Sequence, residues 1–208
     1  MSAPLLRALT LALCLLGLAA CAARDGPGSA PAATMPQLAP AGQSVRLSAD
    51  GRTILFQADV TYGTAQALVR LIKANPQVRA IHLTSNGGLV EPALLVANAI
   101  QLRRATTYVP SICVSACTFL FLGGEERYLA PGAALGFHQA WRTVADPDNS
   151  LVRMNEKIRA RFAAREVEAS FVQRAITTPS SQLWYPTASE LETAGVIHGV
   201  RSAAELPQ

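Results

Sequence analysis

The chain has 208 residues, 50% of them hydrophobic and only 15% charged, and a formal net charge of +4. A balance this mild, with no Lys/Arg stripe and no interleaved aromatic residues, gives no argument for nucleic-acid binding. The length and the apolar content suit one domain with one substantial core. No internal repeat and no second membrane-spanning stretch is visible.

In chain order, the first element is a leader. Residues 1–20 carry one charge, Arg7, ahead of an apolar run from Ala8 to Ala20. The run is short for a bilayer span and ends in small residues, as a signal peptide does. Leu18-Ala19-Ala20-Cys21 matches a lipobox. Cys21 is therefore expected to become the lipid-carrying first residue of a mature protein in a bacterial cell envelope. The alternative is an ordinary secretory signal with a chance cysteine. Cys14 leaves with the leader. Ala22 rather than Asp follows the lipidated position, which favours the outer membrane over the inner. Residues 21–44 are rich in Ala, Pro and Gly, and such a stretch buries too little apolar surface to order itself. It is expected to be a tether on the periplasmic side.

Residues 45–208 read as an α/β domain. Val45 to Leu47 and Thr53 to Ala58 are strand candidates around the turn Ala49-Asp50-Gly51. Thr64 to Ala74 has helical spacing at Ala67, Leu68, Leu71 and Ile72, and Asn75-Pro76 stops it. Val78 to Thr84 reads as a strand running into the turn Ser85-Asn86-Gly87-Gly88. Glu91 to Gln101 is a helix expected to bury Leu94, Leu95, Ala97, Ala99 and Ile100. Thr106 to Cys113 reads as one strand, Ala116 to Leu122 as a buried helix closed by Gly123-Gly124, and Arg127 to Ala130 and Ala134 to Phe137 as short strands. Ser150 to Ile176 reads as one long helix near the C-terminus, and Ala188 to Ala194 as a last short one. Strands alternating with helices imply βαβ units and a parallel sheet, with functional loops after the strands.

Two of those loops have chemical content. Ser115 stands where a strand gives way to a helix, and the Ala116 amide opens that helix, where unpaired N–H groups can hold an oxyanion. A second donor would come from Gly87 or Gly88, whose missing side chains admit a substrate carbonyl. His138, after a later strand, is a candidate base for the serine. On the residues alone the plainer alternative weighs more: Ser115 caps a helix and His138 is a satisfied interior histidine. Cys113 and Cys117 bracket Ser115; in an exported domain they are candidates for a disulfide, or else two buried thiols. His82 and His198 read as structural or surface residues. Asp146 and Asp148 could orient His138 but more often such a pair makes a turn. A serine–lysine dyad would have to use Lys73 or Lys157, and is poorly supported. No metal-ligand spacing is present.

Ser85-Asn86-Gly87-Gly88, the helix from Glu91, Ile112-Cys113-Val114-Ser115, Gly124-Glu125, Arg127-Tyr128, Pro131, His138-Gln139 and the closing stretch Ala188 to Ile197 follow one another in an order that resembles ClpP-like serine peptidases of the ClpP/crotonase fold. The resemblance implies that fold, with Ser115 as nucleophile, His138 as base, and Ala116 with Gly87 and Gly88 as oxyanion donors. It implies a peptide or protein substrate, no cofactor, and a possible homo-oligomer. An exported chain would lack the family's ATP-driven partner. The sequence departs from the family in two places: Val114, Ala116 and Cys117 stand where glycines usually flank the nucleophile, and Leu183 stands where the triad carboxylate is expected. The expected function is a lipid-anchored, periplasm-facing serine hydrolase. The alternative is an inactive relative that serves as a binding or assembly module. If Cys21 carries the lipid, the wild type fractionates with membranes and Cys21→Ala appears in the soluble periplasm; equal partitioning of both overturns the anchor.

Overall fold

The computed structural model describes residues 42–140 and 150–206. The leader, nearly all of the tether, and Asp146 and Asp148 lie outside the described residues. A hairpin opens the domain: β1 (Ser44–Leu47) pairs antiparallel with β2 (Thr53–Gln57), Val45 opposite Phe56. Asp50 builds the turn, accepting from the Ser48 hydroxyl at 2.5 Å and the Arg52 amide at 2.9 Å, while Gly51 takes φ 72°. Helix α1 (Tyr62–Ala74) starts at a reciprocal Thr61–Thr64 cap and ends at Asn75, because Pro76 disfavours helical geometry in the residue before it.

From β2 onward the main sheet is parallel. Strands β3 (Ala80–Thr84), β4 (Thr106–Val109), β6 (Arg127–Leu129) and β8 (Gly199–Val200) add in chain order, giving β1-β2-β3-β4-β6-β8. Helix α1 crosses from β2 to β3, and α2 (Val90–Arg103) from β3 to β4. The missing numbers belong to a second, smaller sheet, in which β5 (Ile112–Val114) pairs in parallel with β7 (Ala134–Gly136). Ser85, just beyond β3, bridges to Cys113, and Phe137, just beyond β7, bridges to Trp184. The small sheet is thus fed by loops at the ends of main-sheet strands, and short α3 (Cys117–Phe121) leaves it directly after Ser115.

Three expectations are corrected. The strand over 106–113 is two strands: Pro110 has no amide for a ladder, and the chain turns there from the main sheet into the small one. The single helix over 150–176 is two, α4 (Ser150–Ala163) and α5 (Ala169–Thr177). Glu166 adopts the left-handed conformation, φ 56°, and the Glu168 carboxylate caps α5 by accepting from Ser170 and Phe171 amides, each at 3.0 Å. Neither glycine nor proline marks this break, so apolar periodicity runs through it. Finally, Leu95 is not buried: α2 packs with Pro92, Ala93, Val96, Ala97 and Ile100 inward and leaves Leu95 61% exposed. A last short helix, α6 (Ala188–Thr193), precedes β8.

The closing segment is held by a buried cation. Arg127 donates from Nε to the Val196 carbonyl at 2.8 Å and from Nη2 to the Gly195 carbonyl at 2.9 Å. Burial pushes its pKa down to about 10. The Arg127 amide donates to Nδ1 of His198 at 3.0 Å. Burial, then repulsion from Arg127, lowers the His198 pKa; burial also lowers that of His82, which stacks on Tyr108 at 4.8 Å. Both rings are folded in their neutral form, while the unfolded chain protonates near the ordinary value of 6.5. Their contribution is therefore present above that value and is lost as pH falls through it. The melting temperature is expected to drop between about pH 7 and about pH 5, before the carboxylates titrate. His82→Phe should flatten part of that slope; an unchanged slope would show that His82 is not folded neutral.

Candidate active site

Ser115 has a left-handed backbone, φ 54°, a conformation that costs a residue with a side chain about 1–3 kcal/mol unless its surroundings impose it. The surroundings do. The Ser115 amide donates to the Gly136 carbonyl of β7 at 2.8 Å. Its carbonyl accepts from the Thr118 amide at 3.0 Å and the Thr118 hydroxyl at 2.7 Å. Cys113 and Cys117, both buried, stand on either side at disulfide distance, with Sγ atoms 1.98 Å and Cα atoms 5.4 Å apart. The sharp turn leaves the Ser115 side chain half-buried, at the wall of a cavity.

The glycine turn packs against this elbow. A Cβ on Gly87 (φ 100°) would stand 2.7 Å from the Cβ of Ser115 and 2.7 Å from the Val114 carbonyl oxygen. One on Gly88 (φ 138°) would run into the Val60 carbonyl. Both positions therefore require glycine. Their amides differ in use. The Gly87 amide donates to the buried Ser85 hydroxyl at 3.1 Å. The Gly88 and Ala116 amides have no acceptor among the described residues.

His138 follows Phe137, whose amide and carbonyl pair with Trp184 at 2.9 Å each. The ring borders the same cavity as Ser115, so the structure brings the two together, although no hydrogen bond joins them. Nδ1 of His138 lies 2.8 Å from the carbonyl oxygen of Gln139. The peptide that joins His138 to Gln139 is itself held, since the Gln139 amide donates to the Thr178 carbonyl at 2.8 Å. When Nδ1 carries the proton and donates it to Gln139, Nε2 is left as a free base. Leu183 turns outward, 42% exposed, and no carboxylate of the described residues borders the cavity. Neither Lys73 nor Lys157 borders it, so the geometry does not favour a serine–lysine dyad.

Sequence reasoning did not single out four contributors. Gln139 acts through its backbone, which no side-chain pattern reports. Thr118, three positions after Ser115, has the hydroxyl spacing of a local backbone clamp and was detectable. Ile158 and Phe162 of α4, which close the cavity, looked like ordinary core positions.

No protein-family model and no curated protein sequence matches the chain. Solved structures do. ClpP1 from Listeria monocytogenes superposes with a TM-score of 0.63 at 18% identity, over 73% of this chain and 92% of that one. A mutant of the same protein gives 0.62 at 18% identity and the same coverage. The fold is ClpP-like. At that identity the likeness establishes the architecture, and the chemistry has to be argued from the ClpP-like chain's own residues.

A disulfide between Cys113 and Cys117 closes a very short loop, so chain-entropy reasoning gives it a stability contribution of about 2 kcal/mol. Thiol titration of unfolded, unreduced protein carrying Cys21→Ala, expressed without the leader into an oxidising compartment, should find no free thiol. Two free thiols would refute the bridge.

Proposed function

We propose that the chain is a lipid-anchored serine hydrolase of peptidase type, held by Cys21 on the periplasmic side of the envelope. The observation that carries this is the convergence of an elbow-held Ser115 and a carbonyl-oriented His138 on one cavity, beside two uncommitted amides. Ser115 Oγ attacks the substrate carbonyl carbon while its proton passes to Nε2 of His138. The amides of Ala116 and Gly88 receive the developing oxyanion. Gly87 shapes the turn and, with its amide given to Ser85, leaves that task to Gly88. The tetrahedral species collapses as His138 returns the proton to the leaving group. Water then repeats the sequence and releases the acyl group, and no cofactor takes part.

The Gln139 carbonyl takes the place of a triad carboxylate. It fixes the tautomer but adds no negative charge to stabilise the imidazolium, and losing the triad acid can slow turnover by about 10⁴-fold. The proposed enzyme is therefore slow. The second reading, a binding module that keeps the fold, is favoured by the missing serine–histidine hydrogen bond. A fluorophosphonate probe decides between them. Wild type should label covalently, Ser115→Ala should not label at all, and His138→Ala should label about 10²–10⁴-fold more slowly. A folded wild type that does not label leaves the binding module.

A further inference from the structure

Reading Ser115 as the nucleophile gives its cavity a meaning beyond the reaction itself. The cavity lies directly beside the Ser115 side chain, where the group attached to the attacked carbonyl must sit. Apart from Ser115, His138 and Thr118, its walls among the described residues are apolar, Phe119, Phe137, Ile158, Phe162, Ala175 and Ile176 foremost. No charged side chain of the described residues borders it. It is also small, with a volume of about 20 Å³, room for roughly one water molecule or one methyl group.

The walls that set this size are packed on one another. Phe162 meets Phe119 edge-on at 6.1 Å and Phe137 at 6.4 Å between ring centroids. Phe137 in turn meets Phe171 at 5.2 Å and Trp184 at 5.9 Å, and those two rings are 4.7 Å apart. Phe162 is 1% exposed and Ile158 3%. A close-packed aromatic cluster of this kind does not widen without losing its contacts, so the cavity's volume is a property of the fold.

We infer that the site selects acyl donors whose side chain next to the reacting carbonyl is small and apolar, of alanine size, and that Phe162 and Ile158 of α4 set the limit. A leucine-sized side chain has several carbons for which there is no room. A lysine or aspartate side chain would lose its hydration there, since the polar wall group beyond the reacting pair among the described residues is the Thr118 hydroxyl, already given to the Ser115 carbonyl. Helix α4 thereby acts in specificity although it contributes no group to the chemistry.

The test uses N-acetyl amino-acid thiobenzyl esters with alanine, leucine, phenylalanine and lysine side chains. In each, Ser115 Oγ bonds to the acyl carbon, the carbon–sulfur bond breaks and benzyl thiol leaves with the proton from His138; water then frees the acid, and the released thiol is measured. For wild type, kcat/KM for the alanine ester should exceed that for the leucine and phenylalanine esters by at least tenfold, with no measurable turnover of the lysine ester. Phe162→Leu, a mild change in a buried position, should raise the leucine-to-alanine ratio of kcat/KM by at least tenfold. Wild type that turns over leucine or phenylalanine as well as alanine overturns the inference while leaving the hydrolase reading in place. Should Phe162→Leu fail to fold, the wild-type series alone still decides. Labelling by fluorophosphonate in the same preparation separates the two failures: no labelling and no turnover of any ester removes the hydrolase reading and the size limit together.

Discussion

The contact on which the site depends is between two pieces of backbone that a side chain would hold apart. Ser115 in its left-handed turn lies so close to Gly87 that a Cβ on the glycine would stand 2.7 Å from the serine's own. Such an approach fixes the turn after β3 against the turn after β5, and so aligns an amide from the first with a hydroxyl from the second. The Ser115 amide bonded to Gly136 and its carbonyl bonded to Thr118 hold the other two sides. Backbone strain persists only where surroundings over-determine it, and here three separate elements do so.

The topology explains why those elements meet. In the main sheet, β4 passes directly to β6, because the chain between them has left to pair with the stretch that ends at His138. Departure is forced at Pro110, which cannot donate to the ladder. The small sheet is therefore the device that carries Ser115 and His138 to one place: Ser115 sits at the end of β5, and His138 lies two residues beyond the end of β7, its parallel neighbour. Register then matters more than distance along the chain. Val114 pairs with Gly136, and that glycine is needed because a Cβ there would collide with Val114 and approach Tyr185.

Much of this was legible in the order of residues. Strand-turn-helix punctuation at Ser85-Asn86-Gly87-Gly88, the abrupt change of character at Ser115 and the late His138 are local signals, and each lies in its expected element. What was not legible depends on neighbours far away in sequence. Leu95 has the spacing of a buried residue but stands 61% exposed on α2. The break at Glu166 has no glycine, and the left-handed turn there and the cap at Glu168 show it in the folded chain. Gln139 orients a ring with its carbonyl, and any residue at that position offers the same atom.

The chain's three histidines sharpen the argument for His138. His198 accepts from the Arg127 amide, and burial and that guanidinium lower its pKa. His82 packs at a tilt against the ring of Tyr108 in the middle of the sheet. Both imidazoles belong to the packing of the sheet. His138 alone borders the Ser115 cavity, with Nδ1 directed to a carbonyl and its other nitrogen without a hydrogen bond among the described residues. A histidine serving only the core would be expected to use both nitrogens or to lie against an aromatic face, as the other two do in part. A half-buried ring whose Nδ1 is tied to a carbonyl and whose other nitrogen has no hydrogen bond among the described residues, beside a serine in a left-handed turn, is the arrangement that proton transfer between a serine and a substrate requires.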